Sequence, residues 1–386
     1  MLHAALAASV GLAAVGLALV VLNVTLLPRL PAAGPAPAGG RRPRVSVVIP
    51  ARNEERDVED AVRSHLRQDY PDFEVIVVDD RSADATSEIL DRLAREDRRL
   101  TVVEGVEPPA GWLGKPHALA QGADAASGEL LLFADADVRY HPHALSEAVS
   151  YMQTRGIDLL ALLPRLSMRG FWENVLMPYL LVAFFEAPGF LANWRRPRWI
   201  AAGGGSGNLV RRAVYDAVGG HAALRASVVD DVRLGFAVKL SGHRFGIVRA
   251  EERVSVRMYR GFREVVDGFT KNIAYIYQGA LGPPLFVFTL ATLGAAILPP
   301  AALLAALLGA KIPTADLVLA AEGYAIAVAS RLALAAAVGD PLWPAPTHPI
   351  MAAVWSGILA RSLYQRFVRR RLTWRGREFE ARSARF

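Results

Sequence analysis

Gly128-Glu-Leu-Leu-Leu-Phe-Ala-Asp-Ala-Asp137 is the stretch on which the reading of this chain turns. Leu130 to Phe133 is a short, unbroken apolar run, the signature of a strand buried on both faces in a parallel sheet. Two carboxylates follow, Asp135 and Asp137, and the alternation of an extended chain turns both to one side. Hard oxygen ligands at the end of a buried strand suit a divalent cation that keeps waters and takes its other ligands from a diphosphate. A lone Asp-x-Asp reads more readily as a turn that bonds its own backbone. The rest of the chain has to decide.

Outward from that strand, the period is that of an α/β domain. Val45-Ser-Val-Val-Ile49, Phe73-Glu-Val-Ile-Val-Val78 and Leu100-Thr-Val-Val103 read as strands. Helices are expected at Glu54 to Arg67, Ala83 to Arg95 and Pro116 to Ala126. Such alternation gives a mostly parallel, Rossmann-like sheet with right-handed crossovers. Ligands bind at the carboxyl ends of such strands. Four polar clusters fall there: Pro50-Ala-Arg-Asn-Glu54, Asp79-Asp-Arg-Ser82, the loop before Lys115, and Asp135-Ala-Asp137.

Each cluster has a bland reading beside its chemical one. Asp79-Asp80 can accept hydrogen bonds from a base imide or ribose hydroxyls, or can cap the next helix with Ser82 and Asp84. Gly111-Trp-Leu-Gly-Lys115 places a cation at a helix start, a cradle for phosphate oxygens or a solvated lysine. Gly203-Gly-Gly-Ser-Gly-Asn208 admits close approach of a ligand to backbone, or is a mobile loop. Asp230-Asp231 precedes a helical stretch. Adjacent carboxylates crowd one another, which raises one pKa and suits acid/base work; the alternative is an N-terminal partner of the helix dipole. Arg257 and Arg260 can clamp a diphosphate leaving group, or can be membrane-surface arginines.

The net charge of +7 and pI near 9.8 come mainly from arginine. The arginines cluster beside apolar segments, which favours anionic lipid or phosphorylated substrates over nucleic acid, for which no binding signature is present. There is no cysteine, which excludes disulfides, zinc-thiolate sites and a catalytic thiol. Residues 1–28 carry no formal charge and are long enough to span a bilayer. A cleaved signal peptide is the rival, but the positive n-region is missing. Arg29, Arg41, Arg42 and Arg44 follow the segment, which places the catalytic part in the cytoplasm. Residues 29–43 read as a linker. Residues 171–191 read as an interfacial amphipathic helix, with Trp194, Arg195, Arg196, Arg198 and Trp199 at a headgroup boundary. Pro283 to Leu308 reads as a transmembrane helix, Leu317 to Val338 as a weaker one, and Leu342 to Leu363 as a third candidate. The arginine-rich tail (366–386) is expected in the cytoplasm.

Order joins these pieces, and in that order they resemble the inverting glycosyltransferases of family 2, with the GT-A fold. Val47-Val-Ile-Pro-Ala-Arg-Asn-Glu-Glu55, Val77-Val-Asp-Asp-Arg-Ser-Ala-Asp84 and Leu132-Phe-Ala-Asp-Ala-Asp137 follow the family pattern. Gly111 to Lys115 and Trp374-Arg-Gly-Arg377 resemble the membrane-anchored branch that modifies lipids, with hopene-associated, carotenoid and ceramide glycosyltransferase-like proteins. The resemblance spans roughly Val45 to Asn272, and a catalytic domain over residues 44–272, followed by transmembrane or interfacial helices over 273–365.

The resemblance implies that Asp79 and Asp80 hold the nucleoside, near Pro50 and Glu54, with Lys115 on the phosphates. Asp135 and Asp137 reach the sugar and a diphosphate-bound Mg2+ or Mn2+. Asp231 is the general base, beside Asp230, and Gly205 and Ser206 line the acceptor side. Arg257 and Arg260 fall where processive relatives carry Gln-x-x-Arg-Trp, but the tryptophan is Gly261 here, which favours single-sugar transfer over polymer synthesis. The expected protein is a multi-pass enzyme of the inner membrane that takes a sugar, from a UDP-sugar, to a hydroxyl of a hopanoid, carotenoid or glycolipid acceptor. Alternatives are a polyprenyl-phosphate glycosyltransferase, a polysaccharide synthase, a nucleotidyltransferase, or a binding protein without turnover.

Overall fold

The computed structural model describes residues 1–31, 42–277, 282–369, 371–374 and 377–380. Most of the expected linker, residues 375 and 376 of the tail motif, and the chain end from 381 lie outside the described residues.

In chain order the elements are α1 (Leu2–Leu26), β1 (Val45–Ala51), α2 (Val58–Leu66), β2 (Phe73–Asp79), α3 (Thr86–Glu96), β3 (Leu100–Glu104), α4 (Gly114–Ala125) and β4 (Leu130–Phe133). Next come β5 (Val138–Tyr140), α5 (Ala144–Arg155), β6 (Leu159–Leu163), β7 (Arg165–Leu166), α6 (Phe171–Leu176), α7 (Tyr179–Phe185), β8 (Asn208–Arg211), α8 (Arg212–Ala217), α9 (Gly220–Ala223) and α10 (Asp230–Leu240). β9 (Phe245–Arg249), β10 (Val254–Val256), α11 (Gly261–Ile276), α12 (Gly282–Leu307), α13 (Thr314–Val338) and α14 (His348–Tyr364) follow.

Seven strands form one sheet in the order β3-β2-β1-β4-β8-β6-β9. β3, β2, β1 and β4 run parallel, while β8 is antiparallel to both its neighbours. Val45, Val47, Val48 and Ile49 of β1 are wholly buried, as the unbroken apolar run requires of a strand covered on both faces. α4 presses on β1 so closely that a Cβ on Gly122 would stand 2.4 Å from Val48 Cγ1. The chain winds from β1 out to β3 and returns to β4 on the other side of β1. That reversal opens a crevice at the carboxyl ends of β1 and β4.

α1, α12 and α13 pack on one another, and each is long and apolar enough to cross a membrane. Their outward faces stay apolar, with Val15, Val21, Val287, Leu290, Leu304 and Val318 exposed. α14 instead buries Met351, Trp355, Ile358 and Leu359 against its neighbours α6, α11 and α12.

The stretch expected as a single interfacial helix, 171–191, is broken into α6, α7 and a 3-10 turn at Gly189–Asn193. Pro178 and Pro188 explain the breaks, since proline supplies no N–H to a helix. Its polar residues also face inward rather than toward a headgroup layer. Glu173 and Asn174 are buried, and Arg331 of α13 donates to the carbonyls of Asn174 and Val175 at 2.9 and 3.0 Å. Asn23 of α1 donates to the carbonyls of Phe185 and Ala187, both at 2.8 Å, and accepts from the Phe190 N–H at 2.7 Å.

The membrane-type helices are fastened to the sheet edge by arginines. Arg249 of β9 is buried, donates to Val24 O at 3.1 Å and to Ala337 O at 2.6 Å. Arg29 reaches the same Ala337 carbonyl, and Arg165 bonds the carbonyl of Gly339. Cations on the final carbonyls of α13 complement the helix dipole, so the C-terminal ends of α1 and α13 meet the seven-stranded sheet at one level.

Candidate active site

The loops that leave β1 and β2 are stitched together. Asn53 Oδ1 accepts from the Ala83 N–H at 2.8 Å, while the Asn53 and Glu54 N–H groups donate to Ser82 Oγ at 3.1 Å and Thr86 Oγ1 at 2.8 Å. Asn53 and Arg81 both adopt left-handed backbone, with φ of 53° and 55°. That conformation is costly for an arginine and persists where surroundings over-determine it. Asp79 accepts from the Ser82 N–H at 3.1 Å and from Ser87 Oγ, so its carboxylate organises its own loop. Asp80 accepts from Arg81 Nε and Nη2 at 3.2 and 3.1 Å, and Arg52 lies 3.7 Å from its other oxygen. Pro50 stands on β1 opposite Val78, at the floor of this rim.

The second half of the site gathers around Lys115, in the first turn of α4. Its Nζ lies 2.6 Å from Asp135 Oδ1. Burial opposes the lysine charge, but Asp135, Asp230 and Asp231 outweigh it and hold its pKa well above the ordinary value. Asp137 shows the opposite imbalance. Burial, with the charges of Asp135 and Glu54, pushes its carboxyl up to about 8. Burial likewise pushes Asp230 up to about 7 and raises Asp231, while Lys115 pulls both back. One lysine therefore faces four carboxylates, Asp135, Asp137, Asp230 and Asp231, with Glu54 acting on Asp137 from the side.

The glycines of 203–207 are a packed wall rather than a loose loop. A Cβ on Gly205 would stand 1.9 Å from Asp135 Oδ2, and one on Gly203 would stand 2.3 Å from Asp231 O. The Asp135 N–H donates to Gly205 O at 2.7 Å, which pins the strand end to this wall. Asp231 Oδ1 accepts from its neighbour Val232 N–H at 2.8 Å. Ser206 is buried, and its Oγ donates to Leu162 O at 2.8 Å.

Arg257 and Arg260 do not stand free to clamp a leaving group. Arg257 forks onto buried Glu173 at 3.2 and 3.0 Å, and Arg260 bonds both oxygens of Asp57 at 2.9 Å. Both anchor the segment before α11. Residues that sequence reasoning passed over also line the site. His221 is buried, exchanges hydrogen bonds with Tyr215 Oη through its Nδ1 at 2.9 Å and its backbone N–H at 3.0 Å, and turns Nε2 toward Asp230 Oδ2 at 3.9 Å. Tyr215 Oη accepts from the His221 backbone N–H, and the direction of its bond to Nδ1 follows the imidazole tautomer, which also decides whether Nε2 presents a proton to Asp230. A glycine-glycine-histidine ahead of paired aspartates was the available signal.

The carboxylates fit a divalent cation. Asp137, at the cleft and held up by neighbouring negative charge, is the group that a cation would relieve. Among the described residues no three His, Asp or Glu side chains form a ready-made metal cluster. Two carboxylates with phosphate and water completing the shell is the arrangement Mg2+ uses at phosphate sites.

The site therefore combines a parallel sheet with a topological switch point, an Asp-x-Asp at its lip and a carboxylate pair across the cleft. Residues 46–230 match the model of glycosyl transferase family 2, and the sheet they build has the GT-A fold. The 4,4'-diaponeurosporenoate glycosyltransferase of Staphylococcus aureus strain USA300 is 29% identical over 236 residues, 60% of each chain. That of strain MRSA252 is 28% identical over the same length. The chain thus spans about three-fifths of the length of these curated relatives. Among solved structures, a mannosyltransferase from Pyrobaculum calidifontis in complex with GDP-Man and Mn2+ has a TM-score of 0.60 at 22% identity, covering 95% of this chain and 99% of that one. This likeness bears on the fold.

Proposed function

We propose that the protein is a membrane-bound, inverting glycosyltransferase that moves a single sugar from a nucleotide-sugar to a hydroxyl of a lipid-soluble acceptor. The observation that carries the reading is the convergence of Asp135, Asp137, Asp230 and Asp231 on Lys115, at the carboxyl ends of the strands and beside three membrane-type helices. The relatives named for diaponeurosporenoate support an acceptor of carotenoid type among the hopanoid, carotenoid and glycolipid options. The expected donor is a UDP-sugar, with GDP-sugars tested beside it because the solved neighbour holds GDP-Man.

In this mechanism Asp79, Asp80, Pro50 and Glu54 form the nucleoside side of the crevice. Lys115 supports the diphosphate, and Asp135 orients the sugar while its own position is fixed by Gly205. Asp137, with Asp135, would hold Mg2+ or Mn2+, which supplies charge neutralisation to the leaving diphosphate. Asp231 accepts the acceptor hydroxyl's proton as that oxygen attacks the anomeric carbon from the opposite face. Asp230, buried and bordered by His221, holds the base pair in register. Gly203 to Gly207 form the acceptor wall. Arg257 and Arg260 act through structure, by fixing α11 to the catalytic domain.

The same reading puts α1, α12 and α13 across the inner membrane and the catalytic domain in the cytoplasm, with α14 beside the domain. Product analysis tests it. Transfer should release nucleoside diphosphate, require a divalent cation removable by EDTA, and invert the anomeric configuration seen by NMR. Release of pyrophosphate would assign a nucleotidyltransferase instead, and an unchanged rate in Asp231→Asn would favour a phosphorylated acceptor that needs no base.

A further inference from the structure

Between Glu186 and Asp216 the chain holds no acidic residue, yet it carries Arg195, Arg196, Arg198, Arg211 and Arg212. Arg211 and Arg212 have partners, Asp158 for one and the carbonyls of Ala123, Ala126 and Gly128 for the other. Arg195, Arg196 and Arg198 are exposed, and among the described residues none forms an ion pair. Trp194 and Trp199 flank them with 58% and 53% of their surface exposed. Two exposed indoles on either side of three unpaired guanidiniums set apolar and cationic surface side by side, which suits an amphipathic, anionic cover.

These side chains also build a recess. Leu191, Trp194, Arg196, Pro197, Arg198 and Trp199 line one open pocket. Its base is fixed. Lys239, near the end of α10, is buried and donates to Ala192 O at 2.6 Å and also bonds Ile200 O, which closes the loop into a single handle. The guanidinium of Arg198 lies over Gly242 just past α10.

The level of the recess in the fold is equally defined. Phe190 stacks edge-on with Trp194 at 6.0 Å, and its N–H is held by Asn23 of α1, one turn from that helix's C-terminal end. The same end is where α13 stops, on Arg29 and Arg249. If α1 and α13 span the bilayer as proposed above, the Trp-Arg-Arg-Pro-Arg-Trp handle lies at the headgroup layer, on the catalytic side.

We propose that residues 191–199 form a binding site for an anionic phospholipid of the surrounding bilayer, separate from the acceptor site. The phosphate lies between Arg196 and Arg198, with Arg195 adding field, and the glycerol and upper acyl segments lie against Trp194, Trp199 and Leu191. Indoles favour this depth because one edge is apolar and the other polar. Each arginine near an anionic surface is worth roughly a five-fold enrichment, so three give on the order of a hundred-fold preference over a neutral lipid. The occupant is a bulk phospholipid rather than a solitary phosphate, because the recess pairs its guanidiniums with two exposed indoles. The site has a route to the chemistry: α10 carries the handle at its C-terminal end and Asp230-Asp231 at its N-terminal end.

The test rests on the membrane placement but not on sugar transfer. Full-length protein is reconstituted in phosphatidylcholine bilayers that contain a few per cent of dibrominated phosphatidylglycerol or dibrominated phosphatidylcholine, and indole fluorescence is followed. The component lost in a Trp194→Phe/Trp199→Phe variant should be quenched by brominated phosphatidylglycerol at mole fractions where brominated phosphatidylcholine has no effect. Arg195→Gln/Arg196→Gln/Arg198→Gln should abolish that preference while melting at the wild-type temperature. Equal quenching by the two lipids, or a preference that survives the triple substitution, overturns the site and leaves the membrane reading intact. Quenching by neither lipid at those fractions overturns the site, and absence of quenching when brominated phosphatidylcholine is the bulk lipid overturns the membrane placement together with it. Displacement of phosphatidylglycerol by trace phosphorylated polyisoprenol would overturn the bulk-lipid assignment in favour of a phosphorylated acceptor.

Discussion

Adding one methyl group at Gly205 should disable the site while leaving the fold standing. The new Cβ would lie 1.9 Å from Asp135 Oδ2 and 2.6 Å from Asp135 Cγ. Ordinary contact begins near 3.5 Å, so the carboxylate has to retreat by roughly 1.5 Å. Retreat breaks the 2.6 Å ion pair to Lys115 and moves the group proposed to orient the sugar. A misplacement of about 1 Å costs on the order of a hundred-fold in rate, so Gly205→Ala should lose about two to three orders of magnitude, roughly 3–4 kcal/mol of transition-state stabilisation. Overpacking costs about 1–3 kcal/mol of stability, a fall of a few degrees in melting temperature. Gly204→Ala is the control, because its Cβ would meet Ser206 alone, its Oγ at 3.3 Å and its N at 3.9 Å. Nucleoside diphosphate release and thermal melting on the two variants settle it. Gly205→Ala within three-fold of wild type would refute the reasoning that Asp135 must stay where Gly205 allows it.

Three further outcomes follow from the same geometry. Asp230 and Asp231 are raised carboxyls, Asp230 to about 7, so a transfer that needs them ionised should rise with pH through about 7; Lys115→Met removes the cation that holds them down and should move that acid limb to higher pH. Because their folded pKa values exceed the unfolded ones, this cluster should also cost stability as pH rises from about 4 toward 7, seen as a falling melting temperature that bound divalent cation reverses. Arg257→Gln strands buried Glu173 and should cost about 3 kcal/mol of stability, with a lower melting temperature. A wild-type melt with weakened donor binding would instead make Arg257 a diphosphate clamp. Since Glu173 is held below its usual value chiefly against burial by Arg257, the pair's contribution should fade as pH drops through the carboxylate range. Asn23→Leu removes the bonds that tie α1 to the 185–190 turn, and should expose that turn to protease in otherwise intact membranes.

The parallel half of the fold was legible because it is built from local signals. β1, β2, β3 and β4 are apolar runs that end in polar clusters, and the helix between each pair carries its own period. The far half was not. β6, β8 and β9 are short, and β8 is antiparallel, a choice made by pairing with β4 and β6 that leaves no mark in its own four residues. The carboxylates were legible as residue types at strand ends, whereas their shared neighbour was not. Nothing local says that Lys115 meets Asp230 across a hundred positions. The arginine pair misled for the same reason: Glu173 and Asp57 lie 84 and 203 residues away from Arg257 and Arg260. Residues 171–191 misled through composition, since apolar content with scattered polar groups describes a surface helix and a buried, proline-broken segment equally well.

The central claim is that these carboxylates transfer sugar to lipid. Membranes from cells that express the wild type or Asp137→Ala, offered labelled UDP- and GDP-sugars with Mg2+ or Mn2+, test it directly. Label should enter the organic-extractable fraction with the wild type, and should fall at least a hundred-fold with Asp137→Ala. Lipid label that persists undiminished in Asp137→Ala, or none from any donor in either membrane, would contradict it.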